Sequence, residues 1–269
     1  IFFGPRINQG AKNIDAFDEV YDTTGTVTGA QGTYIAQFWW QWMETNNPID
    51  GLSSSINFAA FDQGVMSAGG SVNVLAGGNI NELSASLPTT WNISNGAVNT
   101  LGGGNLSVSA GGNILGGAYF VANGTGSLTA GGEIGSAFNL STIASGPGGP
   151  VNAVTPMAPL LGYQNTNWTV TARQDANIGG AYDPSYFYLD GVSSGDSQSP
   201  SSNSSLSILS TVGNADLDTM TASNSAFLGS YVDGIILPAS LSMTALGGGI
   251  EIDNSGELYP SVNGQLTLL

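Results

Sequence analysis

The chain of 269 residues contains no cysteine and no histidine. Without these residues neither a Ser-His-Asp triad nor a Cys-His dyad can be assembled, and histidine-based zinc sites are excluded as well. The absence of cysteine also means that no disulfide bond stabilises the fold. The commonest catalytic chemistries are therefore missing, and we expect a protein that is not an enzyme.

Basic residues are almost absent too. Only Arg6, Lys12 and Arg173 oppose 19 Asp and Glu residues, which gives a formal net charge of -16. Binding to nucleic acid by phosphate neutralisation needs clusters of Lys and Arg, so a nucleic-acid partner is excluded. An acidic surface keeps copies of the chain apart and suits divalent cations or basic partners.

Long apolar runs are also lacking. No run approaches the roughly 18 residues that a membrane-spanning helix needs, so we expect no membrane-spanning segment. The sequence begins at Ile1 without a charged-then-apolar leader and stops within a repeat, so we expect a fragment of a longer chain.

Glycine is abundant, with 40 residues, and 41% of the chain is hydrophobic. This combination fits short strands joined by tight turns, because disordered chains lack the aliphatic residues found here.

One phrase recurs along the chain, at residues 72–80, 106–114 and 128–134. In each copy apolar residues alternate with small polar ones, a Gly-Gly pair follows, and an aliphatic residue begins the next run. Alternation with a period of two predicts strands, and repetition of the whole phrase along the chain predicts a solenoid. The sequence therefore predicts an all-β fold, a β-solenoid whose turns stack.

The glycine pairs are expected at the corners of this solenoid, where they permit close approach of neighbouring backbones. Asn79 and Asn113 follow two of these pairs and are expected to stack as a ladder. Ile80, Ile114 and Ile134 come next in the three copies, and we expect them to line a common dry interior.

Two regions are expected. Residues 1–63 form a leading segment with an amphipathic helix over residues 34–45, because four apolar residues there recur at helical spacing and are expected to pack on the solenoid. They are Ile35, Phe38, Trp39 and Trp42. Residues 64–269 form the repeats, with a weak boundary possible at the breaker cluster of residues 146–150. Longer loops are expected near residues 88–100, 145–165 and 191–204.

The repeated phrase resembles the filamentous haemagglutinin-like exoproteins of Gram-negative bacteria, which are exported by two-partner secretion. The resemblance covers about residues 64–269 and implies a right-handed parallel β-helix. It also implies a cell-surface or extracellular adhesin, or a stalk, with an outer-membrane transporter as its export partner. We therefore expect a structural or adhesive segment that contacts a glycan or protein on another cell, or other copies of itself.

A different class of function, a β-helix polysaccharide hydrolase or lyase, is the main alternative. Such enzymes use paired Asp residues or a basic residue, and the residues of interest are Asp175, Asp183, Asp190 and Arg173. Exposed aromatic side chains would form the sugar platform, and Trp91, Trp168, Tyr186 and Tyr188 are the candidates. Asp is also a favoured turn residue, so ordinary loop and turn positions are the simpler interpretation of these residues.

No cofactor is expected, with the exception of calcium, because oxygen ligands are what this chain supplies. Asp216 and Asp218 lie two residues apart and so share one side of a strand, as do Glu251 and Asp253. These four residues are the candidate metal ligands, against the simpler interpretation of solvated surface charge. A third hypothesis follows from them, a self-assembling extracellular fibre subunit promoted by divalent cations.

Overall fold

The computed structural model describes residues 64–137, 158–182, 201–218, 235–253 and 256–269, together with four short strands nearer the amino terminus. Those four strands form two antiparallel pairs: Arg6–Gln9 with Lys12–Asp15, and Glu44–Asn46 with Ser54–Ile56. All regular structure in the described residues is β, and most strand pairs are parallel.

The largest sheet has ten strands, and seven of them lie side by side. Each of these seven pairs parallel with the next. In order they are Val72–Ala76, Gly104–Ala110, Ala118–Ala130, Leu160–Ala172, Ser205–Ser210, Ser240–Ala245 and Leu266–Leu268. The repeated phrases of the sequence are therefore hydrogen-bonded neighbours.

A second parallel sheet has six strands, one after each corner of the chain. They are Ile80–Asn81, Ile114–Leu115, Ile134–Gly135, Ala176–Ile178, Ala215–Asp218 and Ile250–Asp253. Ile114 pairs with both Ile80 and Ile134, and the three side chains are buried. The prediction that these isoleucines occupy equivalent interior positions is confirmed.

The ten-stranded sheet has three further strands outside this row of seven. Ser84–Leu87 pairs with Val65–Met66 and with the first part of Ala118–Ala130, while Gly180–Tyr182 pairs with the first part of Leu160–Ala172. A separate parallel pair joins Ile235–Leu237 to Gly256–Leu258.

Both large sheets contribute to one hydrophobic core. In the strand Gly104–Ala110 the side chains of Leu106, Val108 and Ala110 are buried, while Ser107 and Ser109 between them are partly exposed. This alternation is what a sheet with one dry side and one wet side requires. The same pattern recurs in Ser205–Ser210 and Ser240–Ala245.

The corner between the two sheets carries a ladder of side-chain acceptors, as predicted for Asn79 and Asn113. Asn79 Oδ1 accepts the backbone N–H of Asn113 at 2.9 Å, and Asn113 Oδ1 accepts that of Glu133 at 3.1 Å. Further along, Asp175 Oδ1 accepts the N–H of Asn214 at 2.8 Å, and Asn214 Oδ1 accepts that of Gly249 at 2.9 Å. Four of the five junctions between successive passes are thus tied at the same position, and the junction between Glu133 and Asp175 is the exception.

Glycine at the corner has a steric cause. A Cβ added at Gly112 would meet Oδ1 of Asn79, and one added at Gly132 would meet Oδ1 of Asn113. Gly213 and Gly248 stand in the same relation to Asp175 and Asn214. Glycine is therefore present because the ladder side chain of the preceding pass fills the space.

An antiparallel hairpin interrupts the parallel pattern. Thr89–Ser94 pairs with Ala97–Gly102, and the turn between them is Asn95-Gly96 with φ of 54° and 75°. Two residues with positive φ are what a two-residue hairpin turn needs, and Asn-Gly supplies them. The prediction of a loop near residues 88–100 is wrong, because this insertion is a paired hairpin.

The prediction of a loop over residues 145–165 is wrong for its last part, and most of the rest of it falls outside the described residues. Residues 160–165, within the expected loop of 145–165, belong to the strand Leu160–Ala172, and residues 145–157 lie outside the described residues. The possible boundary at 146–150 and residues 191–200 also lie outside the described residues. The helix predicted over residues 34–45 also lies outside them, apart from its last two positions, which belong to the strand Glu44–Asn46.

Candidate functional site

Four carboxylates predicted as metal ligands lie together on the six-stranded sheet, and we call them the acidic cluster. Asp216 pairs with Glu251 and Asp218 pairs with Asp253. Ala215 and Leu217, which alternate with the two Asp residues, are fully buried, so the carboxylates project from the opposite side. The sequence correctly predicts that each pair shares one side of its strand.

The acidic cluster is electrostatically unfavourable at Asp216. Burial raises the pKa of its carboxyl, and the neighbouring charges of Glu251, Asp175 and Asp253 raise that pKa further. Its Oδ1 atom is shielded from solvent and accepts no hydrogen bond. Like charges on directly opposed strand positions repel, and no Lys or Arg belongs to the cluster.

As placed, the acidic cluster does not form a metal centre. Among residues 64–137, 158–182, 201–218, 235–253 and 256–269, no three Asp or Glu side chains converge closely enough to hold a metal ion. Calcium needs six to eight oxygen ligands, mostly from the protein. Binding of calcium to Asp216, Asp218, Glu251 and Asp253 therefore stays a prediction from the sequence.

Of the residues expected for sugar chemistry, the structure describes Asp175, Arg173, Trp91 and Trp168. Asp175 belongs to the corner ladder, where it accepts the N–H of Asn214. Arg173 lies at the same corner, and its backbone N–H donates to Ala130 O at 3.2 Å. Asp183, Asp190, Tyr186 and Tyr188 lie outside the described residues.

Trp168 is not a sugar platform. Its side chain is 1% exposed, and its indole N–H donates to Gly162 O at 3.1 Å within the core. A Cβ added at Gly126, its partner on the neighbouring strand, would meet the indole ring, so Gly126 leaves the space that the ring fills. The expectation that Trp168 is exposed is wrong. Trp91 lies in the hairpin strand Thr89–Ser94.

A surface that the sequence-based search for chemistry overlooked lies on the outer side of the ten-stranded sheet, and we call it the hydroxyl face. One column contains Ser107, Ser127, Thr169, Ser207 and Ser242 in register on successive strands. A parallel column contains Ser109, Thr129, Thr171, Leu209 and Thr244. The signal was present in the sequence, as the small polar residue between successive apolar ones.

The described residues contain no helix, and hence none that is long and apolar enough to cross a bilayer. Comparison of the chain with known protein families, with characterised proteins and with solved structures finds no match.

Proposed function

We propose that the repeats form a right-handed parallel β-helix that serves as a structural or adhesive segment of a secreted or cell-surface bacterial filament. The observation that carries this proposal is the column of interior positions at Ile80, Ile114, Ile134, Ala176 and Ala215. Each pairs in register with the next on parallel strands. Repeated parallel pairing of this kind is what stacked coils produce.

The handedness and the export route rest on different grounds. A right-handed coil is favoured because connections between parallel strands of one sheet are right-handed in almost all proteins. Export through an outer-membrane transporter rests on the resemblance of residues 72–80, 106–114 and 128–134 to haemagglutinin-like exoproteins.

A stalk or adhesin role suits the physical properties of the chain. Strands that are hydrogen-bonded on both sides leave little extended backbone for a protease to bind, and the corner ladder joins four of the five pairs of successive passes. A net charge of -16 keeps neighbouring stalks from sticking together. The role also requires no reactive side chain, which agrees with a sequence free of His and Cys.

Attachment of coated particles tests the adhesive role. Beads carrying the purified chain are expected to attach to cultured cells more often than beads carrying serum albumin, which is also acidic. The matched variant is Ile114→Asp, which places a charge at a fully buried position and so disrupts the stack while changing only one residue of the chain; it should lower attachment. Equal attachment of wild-type and albumin beads would refute the adhesive role.

A second candidate, a fibre subunit that assembles with divalent cations, is favoured by the acidic cluster. Asp216 and Asp218 lie directly beside Glu251 and Asp253 on neighbouring strands, and no basic residue belongs to the cluster. Divalent cations that bind between such clusters would lower the charge repulsion between copies and let them associate.

Light scattering tests this second candidate. Scattering is expected to rise as calcium is added at constant ionic strength, to fall when a chelator is added, and to rise less for Glu251→Gln, which removes one carboxylate of the acidic cluster. The variant Glu257→Gln is the control, because it removes one carboxylate outside the cluster. Light scattering that does not change when calcium is added would count against cation-driven assembly.

A further inference from the structure

The hydroxyl face differs chemically from the rest of this acidic protein. Its two columns run across five strands and contain nine hydroxyl side chains and one leucine, with no charged and no aromatic residue. The chain carries 19 carboxylates in total, so an uncharged surface of this extent is a local property of the fold.

The pairing of the strands fixes the spacing of the hydroxyl groups. Neighbouring residues of one column lie about 4.8 Å apart, and the two columns lie about 6.6 Å apart, because alternate residues of a strand share a side. In-register pairing keeps these two intervals constant from strand to strand. The face is therefore a rigid two-dimensional lattice of hydroxyl groups.

Within the residues that the structure describes, most of these hydroxyl groups have no protein partner. On the described part of the chain Ser127 Oγ donates to Leu106 O at 3.4 Å, while no side-chain hydrogen bond is made by Thr129, Thr169, Thr171 or Ser207. Two hydroxyl groups about 4.8 Å apart are too distant for a direct bond, which needs about 2.8 Å. One water molecule can bridge such a pair, so each column is suited to hold a row of ordered water.

Other occupants fit this chemistry poorly. Protein partners are usually anchored by Trp, Tyr or Arg, and the hydroxyl face has none of them. A sugar platform would need aromatic rings, and Trp168, which precedes Thr169 in the chain, is buried in the core. A second copy would have to strip water from both sets of hydroxyl groups, at a cost of about 1 to 3 kcal/mol for each group left unpaired.

We propose that the hydroxyl face binds the surface of ice. An ice surface is a rigid, uncharged lattice of water molecules, and a rigid lattice of hydroxyl and methyl groups can continue it without losing hydrogen bonds. The ordered water rows along the two columns would join the crystal, so binding requires no dehydration of the face. This activity is independent of the adhesive role.

Ice-affinity partition and thermal hysteresis of the full chain test the proposal. The wild-type chain is expected to enter a slowly growing ice fraction, to shape ice crystals into facets and to give measurable hysteresis. The variant Thr169→Lys puts a long cation at the centre of the face and should abolish all three effects. Thr90→Lys makes the same change in the hairpin, outside the face, and should leave them intact.

Circular dichroism of each variant controls for unfolding, and Ser207→Lys replaces Thr169→Lys if the latter does not fold. Exclusion of the wild-type chain from ice to the same degree as albumin would overturn the proposal. Equal ice binding by wild type and by the folded face variants would overturn it too. Concentration-dependent dimers that disappear in Thr169→Lys, without ice binding, would assign the face to a second copy.

Discussion

At the scale of single residues the corner ladder explains where glycine is required. The ladder acceptor of one pass occupies the space in which the second corner residue of the next pass would carry its Cβ. One pass departs from this rule. Gln174 stands at the second corner position, where the other passes have glycine, and the pass before it has Glu133 where the two earlier passes have Asn. No hydrogen bond like that between Asn79 and Asn113 joins Glu133 to Asp175.

Two alanine substitutions test this steric rule. Gly112→Ala is expected to destabilise the protein by about 2 kcal/mol, because its Cβ would displace the Asn79 side chain that accepts the N–H of Asn113. Gly78→Ala changes the equivalent residue of the preceding pass, where nothing lies within 4 Å of the added Cβ. It should be neutral or stabilising by about 0.5 kcal/mol. Urea denaturation of both variants checks the difference, and equal losses would contradict the rule.

The acidic cluster gives a prediction about pH. The raised pKa of Asp216 means that the folded state binds its proton more tightly than the unfolded state, where Asp titrates near its ordinary value of about 3.9. Ionised Asp216 therefore lowers the free energy of unfolding by its full amount above the raised pKa. This loss of stability disappears as the pH falls below the ordinary pKa.

Asp216→Asn should accordingly stabilise the protein by about 0.5 kcal/mol at pH 7, with a gain that shrinks as the pH falls toward 4. Glu257→Gln removes one charge outside the cluster and serves as the control. Thermal melting at several pH values checks both variants. A loss of stability for Asp216→Asn at pH 7 would show that its carboxylate makes a favourable contact.

At the scale of elements the hairpin Thr89–Gly102 is an insertion into a regular repeat. Ile80 and Ile114 are 34 residues apart and Ile114 and Ile134 are 20 apart, and the difference equals the 14 residues of the hairpin. Its ends lie next to each other, because Gly103 N–H donates to Pro88 O at 2.8 Å.

Deletion of residues 89–102 should therefore preserve the fold. Pro88 and Gly103 would then join Leu87 to Gly104, just as two residues join Val121 to Gly124 in the next pass. We expect a cooperative transition with a melting temperature within about 4 °C of wild type. Deletion of residues 89–103 removes one residue more, breaks the register and should abolish the transition. Equal behaviour of the two deletions would contradict the alignment of passes.

The elements also show what the sequence reveals and what it hides. Residues 72–76, 106–110 and 128–130 were predictable as stacked strands because one side of each is wet and the other dry. Residues 160–163, Leu-Leu-Gly-Tyr, are buried on both sides, so their sequence shows no alternation and they were predicted as part of a loop. The hairpin had a signal in Asn95-Gly96. The sequence predicts that the acidic cluster lies on one side of its strands. That no three of its carboxylates meet at one point, among the described residues, follows only from the three-dimensional structure.

At the scale of the whole molecule the proposed β-helix separates its surfaces by chemistry. Carboxylates gather at the outer side of the six-stranded sheet, while the outer side of the ten-stranded sheet carries the neutral hydroxyl face. The net charge of -16 keeps copies soluble, and the stacked core supplies stiffness. A stalk with one uncharged, regular side is consistent with both the adhesive role and the ice-binding proposal.

The stacking of passes in register is the central claim, and a disulfide test addresses it most directly. Because the chain has no cysteine of its own, only introduced pairs can react. Ser127 and Thr169 are direct neighbours 42 residues apart, with Cα atoms about 4.8 Å apart, within the range that a disulfide bridges. Ser127 and Thr171 are diagonal neighbours, with Cα atoms roughly 8 Å apart.

After oxidation and mass spectrometry under non-reducing conditions, S127C/T169C should be crosslinked and S127C/T171C should not. Crosslinking of the diagonal pair alone, or of neither pair, would contradict the account.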